Sequence, residues 1–427
     1  MKTQSSNHIL IYNTFNRAIV KLTLREYKEI DKIIKSNALP GKFLRTINAL
    51  KEMNFIVSST EKEKDSFMKA LELSNNEDRE LLLTILPTTA CNFRCQYCYE
   101  KGVKYTTMKE KVLNTIRDRT TKFLCDNSDI KSAKINLFGG EPILAWVQVK
   151  RTLMDFCSLF KEFGIKFHVE LTTNGYLLDE NKIKVLRDYN LTKVLVTIDG
   201  PEQIHDSRRF LSNGRGSFRK IISNLKLLVE NTPKLNLIIR INYDYTNLPY
   251  FSETLRILSQ ELGANNIELN LGNLDYIPRN RAKGRYNPIP YQDLPEIFIS
   301  LYNCAISEGF RMPELFLLGS WCISKRKYSY IIGPEGEIYK CLSGIGRKEF
   351  VEGNLLSYDL HDIQSYLFFE LYHECFHEKC PFIPVCHTGC RYLAFLNYAK
   401  IRQRACYRNL LTKINKKLIA QKFLRES

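Results

Sequence analysis

The order of hydrophobic patterns along the chain predicts an α/β protein built on a partial (β/α)6 barrel, residues 81–310. Before it stands a small winged-helix-like domain with its linker, residues 1–80, and after it a cysteine-rich domain with a basic tail helix, residues 311–427. Two observations carry this prediction. From Leu81 onward, short apolar runs alternate with longer amphipathic stretches, the pattern of parallel βα units. The thirteen cysteines are also grouped, with three at Cys91, Cys95 and Cys98 and seven between Cys322 and Cys406.

A chain of 427 residues, 44% hydrophobic and 26% charged, is long enough for two or three cores and is not composed like a disordered protein. No apolar run has the length that crosses a bilayer, and Met1-Lys-Thr-Gln-Ser-Ser lacks the basic-then-apolar order of a signal peptide. The expected location is the cytoplasm, with no membrane partner. In that reducing setting, clustered cysteines read as metal ligands rather than disulfides. The net charge of +17 would attract a polyanion or an acidic peptide without choosing between them.

Taken in order, residues 8–22 hold two apolar runs around an Asn-rich turn, a hairpin signal. Residues 24–34 and 43–53 have apolar positions at three- and four-residue spacing and predict two helices, broken at Pro40-Gly41; Phe55-Ile56-Val57 reads as a closing strand. Up to Lys51 this unit carries ten basic residues against Glu26, Glu29 and Asp31. Residues 59–80 are charged and helix-prone, and read as a linker with a break at Ser74-Asn75-Asn76.

Six strands are expected at 81–87, 133–138, 167–173, 193–198, 236–242 and 266–271, with helices at 108–123, 145–163, 180–189 and 218–231. In parallel barrels, chemistry sits at the C-terminal strand ends. The chain places Cys91 to Cys98 after the first strand and Phe138-Gly139-Gly140-Glu141-Pro142 after the second. Thr172-Thr173-Asn174-Gly175 follows the third, Thr197-Ile198-Asp199-Gly200-Pro201 the fourth, and Arg240 and Asn242 end the fifth. The basic, aromatic-interleaved loop 276–285 after the sixth comes without a nucleic-acid stacking module.

Gaps of three and two residues let one tight loop present the thiolates of Cys91, Cys95 and Cys98, and no fourth cysteine follows nearby. That set would hold three corners of a cuboidal iron–sulfur cluster and leave one iron open, whereas structural zinc takes four protein ligands. The C-x3-C-x2-C spacing, with Tyr97 before the last cysteine, resembles the signature of the radical S-adenosylmethionine (radical SAM) enzymes. The resemblance implies a [4Fe–4S] cluster that binds S-adenosylmethionine, with Gly139, Gly140 and Glu141 meeting the methionine amino group and Tyr97 on the adenine side. The segment from Asp199 through His205, Arg208 and Arg209 to Phe218 resembles that of peptide- and protein-modifying members, which implies cofactor contacts from Thr197 and Arg209. Asn174 and Arg240 are further cofactor-binding candidates, and His205 reads as a structural cap.

The C-terminal cysteines run Cys322, thirteen residues, Gly336-x4-Cys341, then Cys375, Cys380, Cys386, Cys390 and Cys406. The series resembles the SPASM extension, whose members carry two auxiliary iron–sulfur clusters. The analogy implies that Cys322, Cys341 and Cys390 hold the first, with an open or non-cysteine fourth site, and that Cys375, Cys380, Cys386 and Cys406 hold the second. One position departs from the pattern: His377 stands two residues before the gap of Cys380, and Cys375 is preferred to it for its soft thiolate. A zinc-ribbon-like module is the bland alternative. Cys125, Cys157 and Cys304 read as core or incidental, and residues 400–425, with nine Lys or Arg, as an amphipathic helix with a solvated face.

The N-terminal unit is similar in layout to the leader-peptide recognition domain of many peptide-modifying radical enzymes; a structural cap over the barrel is the competing reading. The function implied is a radical SAM maturase that installs a thioether or carbon–carbon crosslink in a ribosomal precursor peptide with an acidic leader, served by an electron donor such as flavodoxin or ferredoxin. Sulfatase-maturing enzymes, which make formylglycine, are the alternative; they begin nearer the first cysteine motif and carry aspartate after the Gly-x4-Cys cysteine, where this chain has Leu342. A zinc-rich nucleic-acid-binding protein would explain charge and cysteines but not Gly139-Gly140-Glu141-Pro142, so no nucleic-acid partner is expected.

Overall fold

The computed structural model describes residues 2–5, 7–36, 41–76, 79–274, 286–313 and 322–425. The loop 276–285 lies outside them. Three strands, β1 (Lys2–Ser5), β2 (His8–Tyr12) and β3 (Ile19–Thr23), form an antiparallel sheet in which β2 and β3 are the expected hairpin. The helices α1 (Leu24–Ser36) and α2 (Leu44–Glu52) close a small core with Leu22, Ile30, Ile47 and Leu50. Glu26 starts α1 by accepting from the Thr23 N–H at 2.8 Å while Thr23 Oγ1 accepts from the Glu26 N–H at 3.1 Å, a reciprocal cap.

Two expectations fail here. Phe55-Ile56-Val57 is not a strand: Asn54 takes a left-handed φ of 56°, and the N–H groups of Phe55 and Ile56 turn back onto Leu50 O at 2.7 and 3.3 Å. Nor are residues 59–80 a linker. The helix α3 (Thr60–Asn76) runs through Ser74-Asn75-Asn76, and Phe67 and Leu71, one turn apart, pack against Leu367, Tyr372, Cys375 and Ile383.

The main sheet takes β4 (Glu80–Ile85), β5 (Ser132–Leu137), β6 (Lys166–Thr173), β7 (Leu191–Thr197), β8 (Asn236–Tyr243) and β9 (Ile267–Asn273), parallel and in sequence order. All six lie within a few residues of their expected positions. Between them run α4 (Glu110–Asp126), α5 (Trp146–Glu162), α6 (Glu180–Asp188), α7 (Glu202–Arg208), α8 (Phe218–Asn231) and α9 (Phe251–Leu262); α10 (Leu294–Ser307) follows β9. Beyond the expected six, β10 (Ser329–Ile332) pairs parallel with β4, and β11 (Glu337–Tyr339) and β12 (Val351–Asn354) continue antiparallel. The nine-stranded order β12-β11-β10-β4-β5-β6-β7-β8-β9 therefore carries the C-terminal cysteine region on the edge beside the first cysteine loop.

Strand alternation gives this sheet two unlike faces. Leu83, Ile135, Val169, Val194, Ile239 and Leu269 are fully buried in one core with Ile116, Val149, Leu153, Ile183, Ile221, Leu225, Leu255 and Leu258 of the helices. The opposite face carries Thr84, Asn136, Glu170, Thr172, Lys193, Thr197, Arg240 and Asn270, which the register places side by side. Lys193 pairs with Glu170 there at 2.6 Å.

The chain ends in α11 (Phe369–His377), α12 (Ile383–Cys386), α13 (Arg391–Tyr398) and α14 (Arg408–Arg425). Rather than only presenting a solvated face, α14 buries Ile414 and Leu418 against Ile299 of α10, and Ile419 against Leu10 and Tyr12 of β2. Among the described residues no helix is long and apolar enough to cross a membrane.

Candidate active site

The loop after β4 is pinned at both limbs. Thr88 Oγ1 donates to Thr106 O at 3.0 Å, Thr89 Oγ1 to Lys104 O at 2.7 Å, and the Met108 N–H to Pro87 O at 2.8 Å. Its far side lies along the segment after α7: the Arg94 N–H donates to Phe210 O at 2.9 Å and the Ser212 N–H to Asn92 O at 2.8 Å. Cys91, Cys95 and Cys98 are thereby brought to one end of the sheet, half-buried.

Gly139 and Gly140 lie flat against this loop. Gly139 has φ +131°, and a Cβ on it would stand 2.3 Å from Thr88 O; one on Gly140 would stand 2.4 Å from both Thr89 O and Ala90 O. Only glycine lets the two backbones approach so closely. Glu141 is fully buried and turned inward, accepting from Thr173 Oγ1 at 2.7 Å, the Asn174 N–H at 2.7 Å and the Ile143 N–H at 3.0 Å. Its carboxyl is a brace between the ends of β5 and β6. Burial raises its pKa, and the three donated hydrogen bonds oppose that. Asn174, so held, donates through Nδ2 to Asn92 Oδ1 at 2.8 Å and stands 3.9 Å from Cys91 Sγ.

A second network ties the loop to β7 and β8. The buried Tyr97 hydroxyl donates to Asp199 Oδ2 and accepts from Arg209 Nη1 at 2.9 Å and Asn242 Nδ2 at 3.2 Å. Asp199 Oδ1 accepts from the Asn242 N–H at 3.0 Å. Beneath them Arg208 pairs with Asp244 at 3.1 Å, both almost fully buried, and the Arg208 guanidinium lies 5.4 Å from the Tyr97 ring centroid. Arg240 reaches Asn242 Oδ1 at 2.7 Å and Asn270 Oδ1 at 2.9 Å, and Thr197 pairs beside it in register at the end of β7. His205 is wholly enclosed between the Asp199 N–H, 3.3 Å from Nδ1, and Ser217 Oγ, 3.1 Å from Nε2; burial holds its pKa well below the ordinary value.

The sequence did not single out Arg208, Asp244 or the central role of Asp199. Arg208 is masked by its neighbour Arg209, and Asp244 by the turn that follows β8. The available signal was an aspartate just beyond each of two adjacent strand ends.

Burial pushes the Cys91 and Cys98 thiols up to about 12 and raises Cys95, whose rise the charge of Arg209 opposes. Such thiols become thiolates only against a cation, so the trio suits a metal centre. Arg209 is 8% exposed, and its buried Nε has no hydrogen-bond partner among the described residues. An unpaired guanidinium N–H beside a cysteine trio fits a ligand carboxylate.

The C-terminal cysteines influence one another electrostatically in two sets. Cys341, pushed up to about 12 by burial, also feels the charges of Cys390 and Cys322. Cys386, pushed up to about 11, feels Cys375, Cys380 and Cys406, whereas His377 is exposed. Among the described residues no three His, Cys, Asp or Glu side chains form a group fit to hold a metal ion. A cluster gives each ligand a separate iron, so its thiolates need not converge on one point.

Residues 85–256 match the model of the radical SAM superfamily. The chain is 23% identical over 350 residues to a cysteine-type anaerobic sulfatase-maturating enzyme of Clostridium novyi (strain NT), covering 73% of this chain and 88% of that one. It is 26% identical over 222 residues to the radical SAM cyclopropyl synthase TigE of Paramaledivibacter caminithermalis, covering 47% of this chain and 45% of TigE. Among solved structures, native anSMEcpe with bound AdoMet and Cp18Cys peptide superposes with a TM-score of 0.63 at 20% identity, over 80% of this chain and 98% of that one. Streptococcus suis SuiB bound to precursor peptide SuiA superposes with a TM-score of 0.54 at 14% identity, over 96% of this chain and all (100%) of SuiB. The sequence match, the cysteine trio on the first strand-end loop and the α/β fold agree: residues 85–256 are a radical SAM domain, and the chain is a radical SAM enzyme.

Proposed function

We propose that the chain is a maturase that removes hydrogen from a ribosomally made precursor peptide and installs a thioether or carbon–carbon crosslink. Its parts would be a partial (β/α)6 barrel, an N-terminal winged-helix-like domain that takes the peptide's acidic leader, and a SPASM domain with two auxiliary clusters. The observation that carries this reading is the N-terminal unit, a basic sheet and helix pair joined to the rest through α3 and α14. That unit has a fixed place from which to present a peptide to the strand ends. The likeness to SuiB, over 96% of this chain, supports the same layout.

A [4Fe–4S] cluster on Cys91, Cys95 and Cys98, with S-adenosylmethionine at its open iron, would supply a 5′-deoxyadenosyl radical for hydrogen abstraction. The chain's own residues do the positioning. Arg209 Nε, without a hydrogen bond among the described residues, would take the carboxylate; Gly139 and Gly140, where they cross the cysteine loop, would meet the amino group; Asn174 and Tyr97 fix the loop to neighbouring strand ends. Thr197 and Arg240, side by side on the same polar face, would add further cofactor contacts. A one-electron donor such as flavodoxin or ferredoxin would serve the chain in the cytoplasm.

Formylglycine formation is the second reading, favoured by the match to the Clostridium novyi enzyme over 73% of this chain. Anaerobic incubation with S-adenosylmethionine, a reductant and either a candidate precursor or a sulfatase peptide, followed by mass spectrometry, separates the two. A crosslink gives a precursor lighter by two hydrogens; 5′-deoxyadenosine release with an unchanged precursor and an oxidised sulfatase peptide overturns the proposal.

A further inference from the structure

Two buried cations lie between the C-terminal cysteine groups. Lys325, 4% exposed, follows Cys322 by one turn and donates through Nζ to His387 O and, at 3.2 Å, to Gly389 O. Arg391, 2% exposed, follows Cys390 and donates through Nη2 to Thr388 O at 2.6 Å and Gly389 O at 3.1 Å. Both therefore grip the backbone of the 386–390 turn, whose ends are Cys386 of one group and Cys390 of the other.

Their electrostatic surroundings are unusual. Lys325 faces Arg391 and the sulfurs of Cys322, Cys386 and Cys390; Arg391 faces Cys390, Tyr372, Cys386 and Cys322. None of these neighbours is a carboxylate, and Arg391 Nε is buried without a hydrogen bond among the described residues. Side by side in a dry interior, two cations are costly unless negative charge is fixed beside them. The negative partners that these two cations face among the described residues are the thiolates, drawn from both groups.

We propose that Lys325, backed by Arg391, is a positioning residue shared by two auxiliary iron–sulfur clusters, one on Cys322, Cys341 and Cys390 and one on Cys375, Cys380, Cys386 and Cys406, and that it raises the reduction potential of both. The inference rests on the SPASM reading above. One-electron reduction adds one negative charge to a cluster, and a fixed cation favours that state; net charge and hydrogen bonding set such potentials. The consequence suits crosslinking, in which the first hydrogen leaves as an atom and the second as a proton plus an electron. That electron needs an acceptor poised to take it.

The test uses the full chain, anaerobically reconstituted, with Cys91, Cys95 and Cys98 changed to Ala so that only auxiliary signals remain. Iron is counted, and both signals are titrated with a low-potential reductant by electron paramagnetic resonance. Lys325→Gln, which keeps a donor for the turn but removes the charge, is expected to move both midpoints to more negative values at unchanged iron. Lys325→Arg should restore them, and Arg391→Gln should shift both in the same direction as Lys325→Gln. Unmoved midpoints, or a shift in one signal alone, overturn the proposal. Loss of iron from both neutral variants but not from Lys325→Arg assigns a purely structural role and also overturns it. Zinc in place of iron in the parent chain defeats the SPASM reading itself, an outcome distinct from any potential shift.

Discussion

Glu141 shows how a motif residue can brace neighbouring strand ends. Its carboxylate takes three donors from Thr173, Asn174 and Ile143 and so sets the end of β6 against the cysteine loop. In Glu141→Gln one acceptor becomes an N–H2 facing a donor, and a buried unpaired group costs about 1–3 kcal/mol. Anaerobic urea denaturation should read a loss of that size, with S-adenosylmethionine cleavage lowered through displacement of Asn174. His205 gives a pH dependence whose sign is fixed. The enclosed ring resists protonation while the unfolded ring titrates near the ordinary imidazole value of about 6.5, so the unfolded state binds more protons below that pH. Stability from this group is complete above about pH 6.5 and falls as the pH drops below it. His205→Gln should lower stability in neutral buffer yet flatten its decline toward about pH 5.5; an undiminished slope in denaturation curves would assign the proton uptake to another group.

Elements were legible where one face is apolar and the other polar. The six parallel strands and the helices after them stood out because Leu83, Ile135, Val169 and their neighbours recur at strand spacing between amphipathic helices. Where tertiary contact decides, legibility ended. Phe55 and Ile56 have strand composition, but the turn at Asn54 folds them back onto α2; α3 looked like a linker because Phe67 and Leu71 are surrounded by charge. The helix is a packing element, so Phe67→Ala should cost about 3 kcal/mol and loosen the Cys375 group against which it packs, read by denaturation and by iron retention. Gly140→Ala tests the other kind of element, a crossing of two backbones. Its Cβ would meet carbonyl oxygens at 2.4 Å, atoms that cannot swing away. The cysteine loop must shift, and 5′-deoxyadenosine release should fall by at least tenfold while far-ultraviolet circular dichroism stays unchanged.

At the scale of the molecule, the cysteine trio and the glycine pair were readable because local spacing carries their chemistry, whereas the Arg208–Asp244 pair and the Lys325–Arg391 pair join segments far apart in sequence. The same long-range connectivity changes how the N-terminal unit has to be tested. Removing residues 1–80 would strip α3 from Leu367, Tyr372 and Cys375, so a loss of activity would say nothing about peptide binding. A cut after residue 59 keeps α3 and its contacts, although Ile419 loses Leu10 and Tyr12. If the unit holds the leader while the sheet and cysteine groups do the chemistry, the shortened chain keeps about twelve irons, as three four-iron clusters require. It also keeps slow S-adenosylmethionine cleavage without peptide, and its affinity for a precursor drops by at least tenfold in anaerobic fluorescence anisotropy. Unaltered precursor affinity at full iron content would move leader recognition to the polar face of the sheet and leave β1 to α2 as a cap; loss of iron would show instead that β2 supports the cysteine region through α14.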